Sequence, residues 1–313
     1  MTLPDPAEVV RLDGPWTHRD IHANGARFHV AEMGAGPLVL FLHGFPMFWW
    51  TWRHQLEALA DAGHRAVAVD LRGYAGSDHT PHGYDPVTAA SDMAAVIRSL
   101  GEPDAVVVGH GWGGLIAWSM GVLEPHVVRG LVPVSMPHPR RLRKAIMTNP
   151  RQLRRAMYTL NFQPPFAPER SLERHDAARI EKILRKRSAP GATWLDPETA
   201  ANFRSAMTIP HSAHCAIEYH RWAIRSIPRP DGIRFQRAMR SSIAVPVLHV
   251  HGENDPSILA KSSRGSGEFV TGPYTQHIAP GVGHYPHEEA PGAFSLLLLG
   301  WLDAMSTATE DVR

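Results

Sequence analysis

Val106-Val107-Val108-Gly109-His110-Gly111-Trp112-Gly113-Gly114 decides how this chain is read. Three β-branched valines enter a glycine-dense turn, and an apolar run from Leu115 to Met120 leaves it. β-Branched side chains suit a strand, glycines permit a very tight reversal, and the run beyond is long enough for a helix. The pattern therefore predicts strand, turn and helix. Such a turn carries its central residue to the tip of a sheet. Here that residue is Gly111, which offers no side chain to whatever lies above it.

Working outward, strand and helix signals alternate. Thr17–Ile21 and Ala26–Ala31 read as short strands joined by Asn24-Gly25, a strong hairpin dipeptide. Pro37–Leu42 is continuously apolar, as a strand buried on both faces must be. It ends in His43-Gly44-Phe45-Pro46. Helical spacing from Trp52 to Ala62 follows, then a strand Arg65–Val69 ending at Asp70-Leu71-Arg72-Gly73-Tyr74. Asp85-Pro86 supplies an N-cap and a first-turn proline for a helix running to about Leu100. After the glycine turn comes a strand at Gly130–Val134. This alternation predicts an α/β fold with a mostly parallel sheet and helices on both faces.

The rhythm breaks at Met136-Pro137-His138-Pro139. To about Arg240 the chain is helical, Arg-rich and proline-rich, with no buried strand runs. Strand patterning resumes at Val245–Val250. We therefore divide the chain into a core, 1–136 and 241–313, and an inserted helical cap, 137–240. A pocket between them is the expected ligand site. A short strand near Gln276–Ile278, a His-containing loop and a helix from Pro291 to about Met305 complete the reading.

Composition narrows the classes. With 313 residues and 43% hydrophobic content the chain can bury a large core, and a net charge of +2 argues against a nucleic-acid partner. Cys215 is the single cysteine, so no internal disulfide can form and a cytoplasmic setting is expected. Met1–Gly14 has no apolar run of signal-peptide type, and the apolar run Leu296–Leu299 is too short for membrane insertion. No cofactor is called for. Gly109-x-Gly111-x-x-Gly114 formally matches a dinucleotide fingerprint, but the next strand ends in Ser135-Met136-Pro137 without the acid that fingerprint wants. His211, His214 and Glu218, with Cys215 beside them, could present a metal-binding face; a polar helix face is preferred, and no metal is expected. The basic runs Arg140–Lys144 and Arg185–Arg187 read as solvated helix faces.

Asp255, in Gly252-Glu253-Asn254-Asp255-Pro256, and His284, in Gly283-His284-Tyr285-Pro286, follow the glycine turn in the order turn, acid, histidine. The acid would hold the imidazole in one tautomer so that it can take a proton. These motifs, with His43-Gly44-Phe45-Pro46, Trp52-Arg53-His54-Gln55-Leu56, Asp70-Leu71-Arg72-Gly73-Tyr74 and Gly109-His110-x-Trp112-Gly113-Gly114, resemble the epoxide hydrolases of the α/β-hydrolase superfamily over nearly the whole chain.

The resemblance implies the α/β-hydrolase fold and a set of roles. An elbow aspartate would attack the epoxide, two cap tyrosines would polarise its oxygen, and the histidine would activate water against the resulting ester. The backbone N–H groups of Phe45 and Trp112 would form the oxyanion hole. The first tyrosine matches Tyr158. The second falls in Glu218-Tyr219-His220-Arg221-Trp222 and is either Tyr219 or a position now held by His220. Apolar or aromatic substrate contacts are expected from His43, Pro46, Trp49, His110, Phe162 and Trp222. The expected partner is a small apolar molecule, and a homodimer is compatible with the chain.

The elbow aspartate itself is Gly111, and no G-x-S-x-G occurs elsewhere. Losing such a nucleophile typically costs on the order of a million-fold in turnover, or roughly 8 kcal/mol of barrier. Three readings stay open. The aspartate was replaced deliberately to trap substrate; or a natural relative uses the His284–Asp255 pair as a general base without a covalent intermediate; or the chain is a ligand-binding pseudoenzyme.

Overall fold

The computed structural model describes residues 2–310, and side-chain surroundings as far as residue 307. The outermost ends of the expected core, 1 and 311–313, lie outside the described residues. After α1 (Pro6–Val10) come β1 (Thr17–Ala23), β2 (Ala26–Met33) and β3 (Leu38–Leu42). Then follow α2 (Arg53–Asp61), β4 (Arg65–Val69), α3 (Pro86–Ser99), β5 (Ala105–His110), α4 (Trp112–Leu123) and β6 (Val128–Val134). The eight strands form one sheet in the order β1-β2-β4-β3-β5-β6, continued by β7 (Val247–Gly252) and β8 (Tyr274–Ala279). β1, β2 and β4 pair antiparallel; every later pair is parallel. This is the α/β-hydrolase fold.

The central strands explain themselves. Every residue of β3, β5 and β7 is buried, which follows from helices lying on both faces. Chain order reverses between β3 and β5, with β4 on one side and β5 on the other. Parallel strands then deliver the loops after β3, β5, β7 and β8 to one end of the sheet, where open α/β sheets bind ligands.

Between β6 and β7 the chain is helical: α5 (Pro139–Thr148), α6 (Pro150–Ala156), α7 (Ala167–Arg187), α8 (Pro197–Met207), α9 (Ser212–Arg225) and α10 (Pro230–Ala238). α7 is kinked, with non-helical backbone from Arg174 to Ala177. α11 (Ala260–Ser263), α12 (Pro286–Glu289) and α13 (Pro291–Glu310) complete the chain.

Local boundaries shift for physical reasons. The strand expected from Val245 starts at Val247, because Pro246 has no N–H for the ladder, and it extends to Gly252. The helix expected from Trp52 is split into a 3-10 turn at Trp49–Trp52 and α2. Asp85 caps α3 as expected, its carboxylate accepting from the Val87 and Thr88 N–H groups. The expected histidine face of α9 does not form on one helix. His211 sits before the helix at φ 71, and no metal-holding cluster occurs among the described residues. Nor, among those residues, is any helix long and apolar enough to cross a membrane.

His43, His110, His138, His220, His249 and His287 are each no more than 1% exposed. Burial, which disfavours the imidazolium, pushes His43 down to about 4 and both His138 and His220 down to about 3. It holds His110, His249 and His287 well below the ordinary imidazole value. The unfolded chain protonates these groups near their ordinary pKa of about 6.5, while the folded chain keeps them neutral. Their contribution is therefore fully present above that value and is lost as pH falls below it. Denaturant unfolding should show stability dropping from pH 7 to 4.5, with net uptake of several protons on unfolding at pH 5. A flat profile over that range would contradict this account.

Candidate active site

The turn between β5 and α4 is built by close backbone approach. A Cβ on Gly109 would meet the Gly113 carbonyl oxygen at 2.1 Å, and one on Gly113 would meet the Leu42 oxygen at 2.2 Å. Only glycine lets the elbow press against β3 in this way. Gly111 is different. Its backbone lies at φ 53, ψ −113, a strained conformation for any L side chain, yet a Cβ there would meet only the Gly44 Cα, at 3.7 Å. The vertex keeps a strained backbone, and there is room for a side chain that the sequence does not supply.

His284 and Asp255 are brought together by the loops after β8 and β7. His284 Nδ1 donates to Asp255 Oδ2 over 2.7 Å. The second Asp255 oxygen accepts from the backbone N–H groups of Ser257 and Ile258. His251 Nε2 stands 3.2 Å from the same Oδ2. Burial works to raise the Asp255 pKa, but the His284 and His251 imidazoles and the hydrogen bonds they make outweigh it. The carboxyl is held far below its usual range. It is thus an ionised orienting group. The Nδ1–H tautomer follows from this partner, and His284 Nε2 makes no protein hydrogen bond among the described residues. The loop is clamped on both sides: His284 N donates to the Arg187 carbonyl at 3.0 Å, and the Glu289 carboxylate accepts from the N–H groups of Gly283, Tyr285 and Ala189.

A cavity of about 1150 Å³ opens over this end of the sheet. Gly111, Trp112, Phe45, Tyr158, His220, Trp222 and His284 all line it. The backbone N–H groups of Phe45 and Trp112 donate to no protein acceptor among the described residues, as an oxyanion hole requires.

The alternative between Tyr219 and His220 resolves on geometry. The Tyr219 hydroxyl donates to the Arg72 carbonyl at 2.9 Å, and its ring packs against Tyr74 and Tyr84. It points away from the cavity. His220 faces the cavity but is fully occupied: Nδ1 lies 3.2 Å from the Ala216 carbonyl, and Nε2 accepts from the Trp112 indole N–H at 3.2 Å. Neutral and doubly bonded, it has no proton to give to an opening ring. Among the described residues Tyr158 remains as the one phenol on the wall.

Four of the expected substrate contacts lie elsewhere. His43 accepts from the Leu71 N–H and is wholly buried. The Trp49 indole donates to the Val10 carbonyl at 2.7 Å, which fixes that ring in the core. His110 donates to the His284 carbonyl at 2.9 Å from behind the elbow. Pro46 is buried beside Phe45 without reaching the wall. Each comes from a segment that touches the site through its backbone, so proximity in sequence overstated proximity to ligand. Phe162 forms a second layer, 5.6 Å from the Phe45 ring and 4.8 Å from His220. Trp222 lines the wall.

Several wall residues escaped the sequence reading: Arg140, Arg143 and Lys144, expected on a solvated helix face, line the cavity, and so does Arg187. In the run Arg185–Arg187, Arg185 is a solvated ion pair with Glu181, but Arg187 turns into the cavity. Its place as the last helical residue before Ser188-Ala189-Pro190-Gly191 is the only local hint.

The chain has counterparts among known proteins. The alpha/beta hydrolase fold family matches residues 37–291. Epoxide hydrolase 3 of Xenopus tropicalis is 30% identical over 287 residues, covering 89% of this chain and 75% of that one. Epoxide hydrolase 2 of Siraitia grosvenorii is 29% identical over 313 residues, covering 91% and 98%. A crystal structure of a Bacillus megaterium epoxide hydrolase in complex with an inhibitor superposes with a TM-score of 0.81 at 25% identity, covering 91% of this chain and 100% of that chain.

The elbow glycines should respond differently to one added methyl group. Gly113→Ala drives Cβ into backbone oxygen and should cost on the order of 3 kcal/mol or more. Gly111→Ala has space and should lose only ~1–2 kcal/mol through its positive φ. Urea unfolding midpoints at unchanged m-value measure both; equal losses would contradict the geometry.

Proposed function

The chain belongs to the alpha/beta hydrolase fold family and has epoxide hydrolases among its homologues, and from that premise we propose a nucleophile-less, epoxide-hydrolase-like enzyme. In this reading the His284–Asp255 pair acts as general base on a water or on the bound ligand, and no ester forms on the protein. The observation that carries it is the 2.7 Å His284–Asp255 bond opening on the same cavity as an elbow without a side chain.

The chemistry follows from the groups at hand. Asp255 stays ionised and holds His284 with Nε2 toward the cavity, so the imidazole can accept a proton there. The N–H groups of Phe45 and Trp112 can receive negative charge developing on a ligand oxygen. Tyr158 can donate one hydrogen bond. With Gly111 at the elbow and His220 fully bonded, two parts of the covalent epoxide route are missing together. That pairing favours natural divergence over deliberate replacement of a single residue. It also supports a second reading, a ligand-binding protein that keeps the cavity and has lost turnover.

Two variants separate these readings. Gly111→Asp restores an attacking carboxylate, and only its epoxide turnover should produce an acid-trappable ester on styrene oxide. Recovery should be partial, because His220 still stands in place of the second tyrosine. His284→Ala should reduce the native turnover of the unaltered elbow by roughly a hundred-fold or more. Native turnover that survives His284→Ala would remove the general-base reading. Ligand binding without any turnover in the unaltered chain would leave the binding role.

A further inference from the structure

The dyad chemistry leaves one charged wall group without a task. Arg187 ends α7, and its guanidinium carbon lies 4.7 Å from the Tyr158 ring centre and 5.9 Å from that of Phe45. One of its nitrogens stands 3.5 Å from the Phe45 carbonyl, a weak contact. Its own carbonyl accepts from the His284 N–H, so the side chain is rooted at the dyad. A guanidinium stays charged in a protein, and an enclosed charge calls for a counter-charge. Among the described residues Arg187 has no carboxylate within ion-pair distance; the Asp255 charge reaches it only through space and is already engaged by His284 and His251.

The rest of the wall has the same sign. Arg140, Arg143, Lys144, Arg237 and Arg240 line the cavity with Arg187, and among the described residues no aspartate or glutamate does. None of the five forms an ion pair among the described residues. Between the cations the wall is apolar, with Leu115, Met136, Ile146, Leu153, Trp222 and Phe235. At about 1150 Å³ it exceeds what a compact aromatic epoxide needs. An aspartate at position 111 would have put a negative charge into this space. With Gly111 there, that charge is left to the ligand.

We infer that the cavity takes an apolar carboxylic acid, its carboxylate seated over Gly111 between the Arg187 guanidinium and the N–H groups of Phe45 and Trp112. A carboxylate matches the planar fork of a guanidinium, and one deep cation suits a monoanion. The apolar wall accepts the rest of the molecule. The outer cations draw anions toward the opening. This inference rests on the reading of the cavity as the ligand site, but it requires no turnover.

Calorimetric titration of the full chain with decanoate and with decanamide tests it. Decanoate should bind at least about tenfold more tightly than the uncharged amide, and more weakly as salt is raised. Arg187→Met should abolish that preference. Gly111→Asp should also weaken decanoate, by restoring a like charge. Equal affinity for acid and amide in the unaltered chain overturns the inference whether or not the variants fold. So does a preference that persists in a folded Arg187→Met protein. If neither compound binds, the cavity reading fails as well.

Discussion

The His284–Asp255 hydrogen bond is the constraint on which the site depends. It joins two loops that follow different strands, and it works only because those strands run parallel and end at the same edge of the sheet. The acid is fixed by two backbone N–H donors and flanked by a second imidazole, so it has little freedom to turn away. The histidine loop is in turn fastened to the end of α7 through the Arg187 carbonyl and, by way of Glu289, to Ala189. The helical segment and the sheet therefore set the position of one imidazole jointly. A disturbance in either would reach the dyad.

Against that fixed pair, the elbow is a matter of subtraction. Backbone packing around Gly109 and Gly113 maintains the tight turn whether or not position 111 has a side chain. An aspartate at that vertex would bring a nucleophile and a negative charge together, and Gly111 brings neither. In an enclosed site of low effective dielectric the missing charge counts, because nearby charges interact far more strongly than in water. Arg187 remains as the deep charge on the wall, and it helps to keep His220 neutral. The polarity of the site is inverted relative to what an elbow aspartate would give.

Much of this was legible in the residues. Strand and helix alternation, the hairpin at Asn24-Gly25, the capped start of α3 and the return to strand after the proline-rich insertion are local signals of burial and backbone preference. The dyad was readable because its members stand in loops at strand ends. What was not readable depends on where side chains turn within a crowded region. His43, Trp49 and His110 sit in motifs whose backbone borders the site, but their rings are held in the core by hydrogen bonds. Tyr219 and His220 are neighbours on a helix, about 100° apart around its axis, and only the packing of α9 decides which faces inward. Arg187 was hidden in a basic run because charge patterning reports composition, not the orientation of the last residue of a helix.

The central claim is that no carboxylate of this chain attacks ligand at the elbow. Rapid-quench intact-mass measurement of the unaltered protein with excess styrene oxide tests it most directly, with peptide mapping of any adduct. The account predicts the unmodified mass at every quench time. A transient, alkali-labile adduct on any aspartate or glutamate of the chain would contradict it.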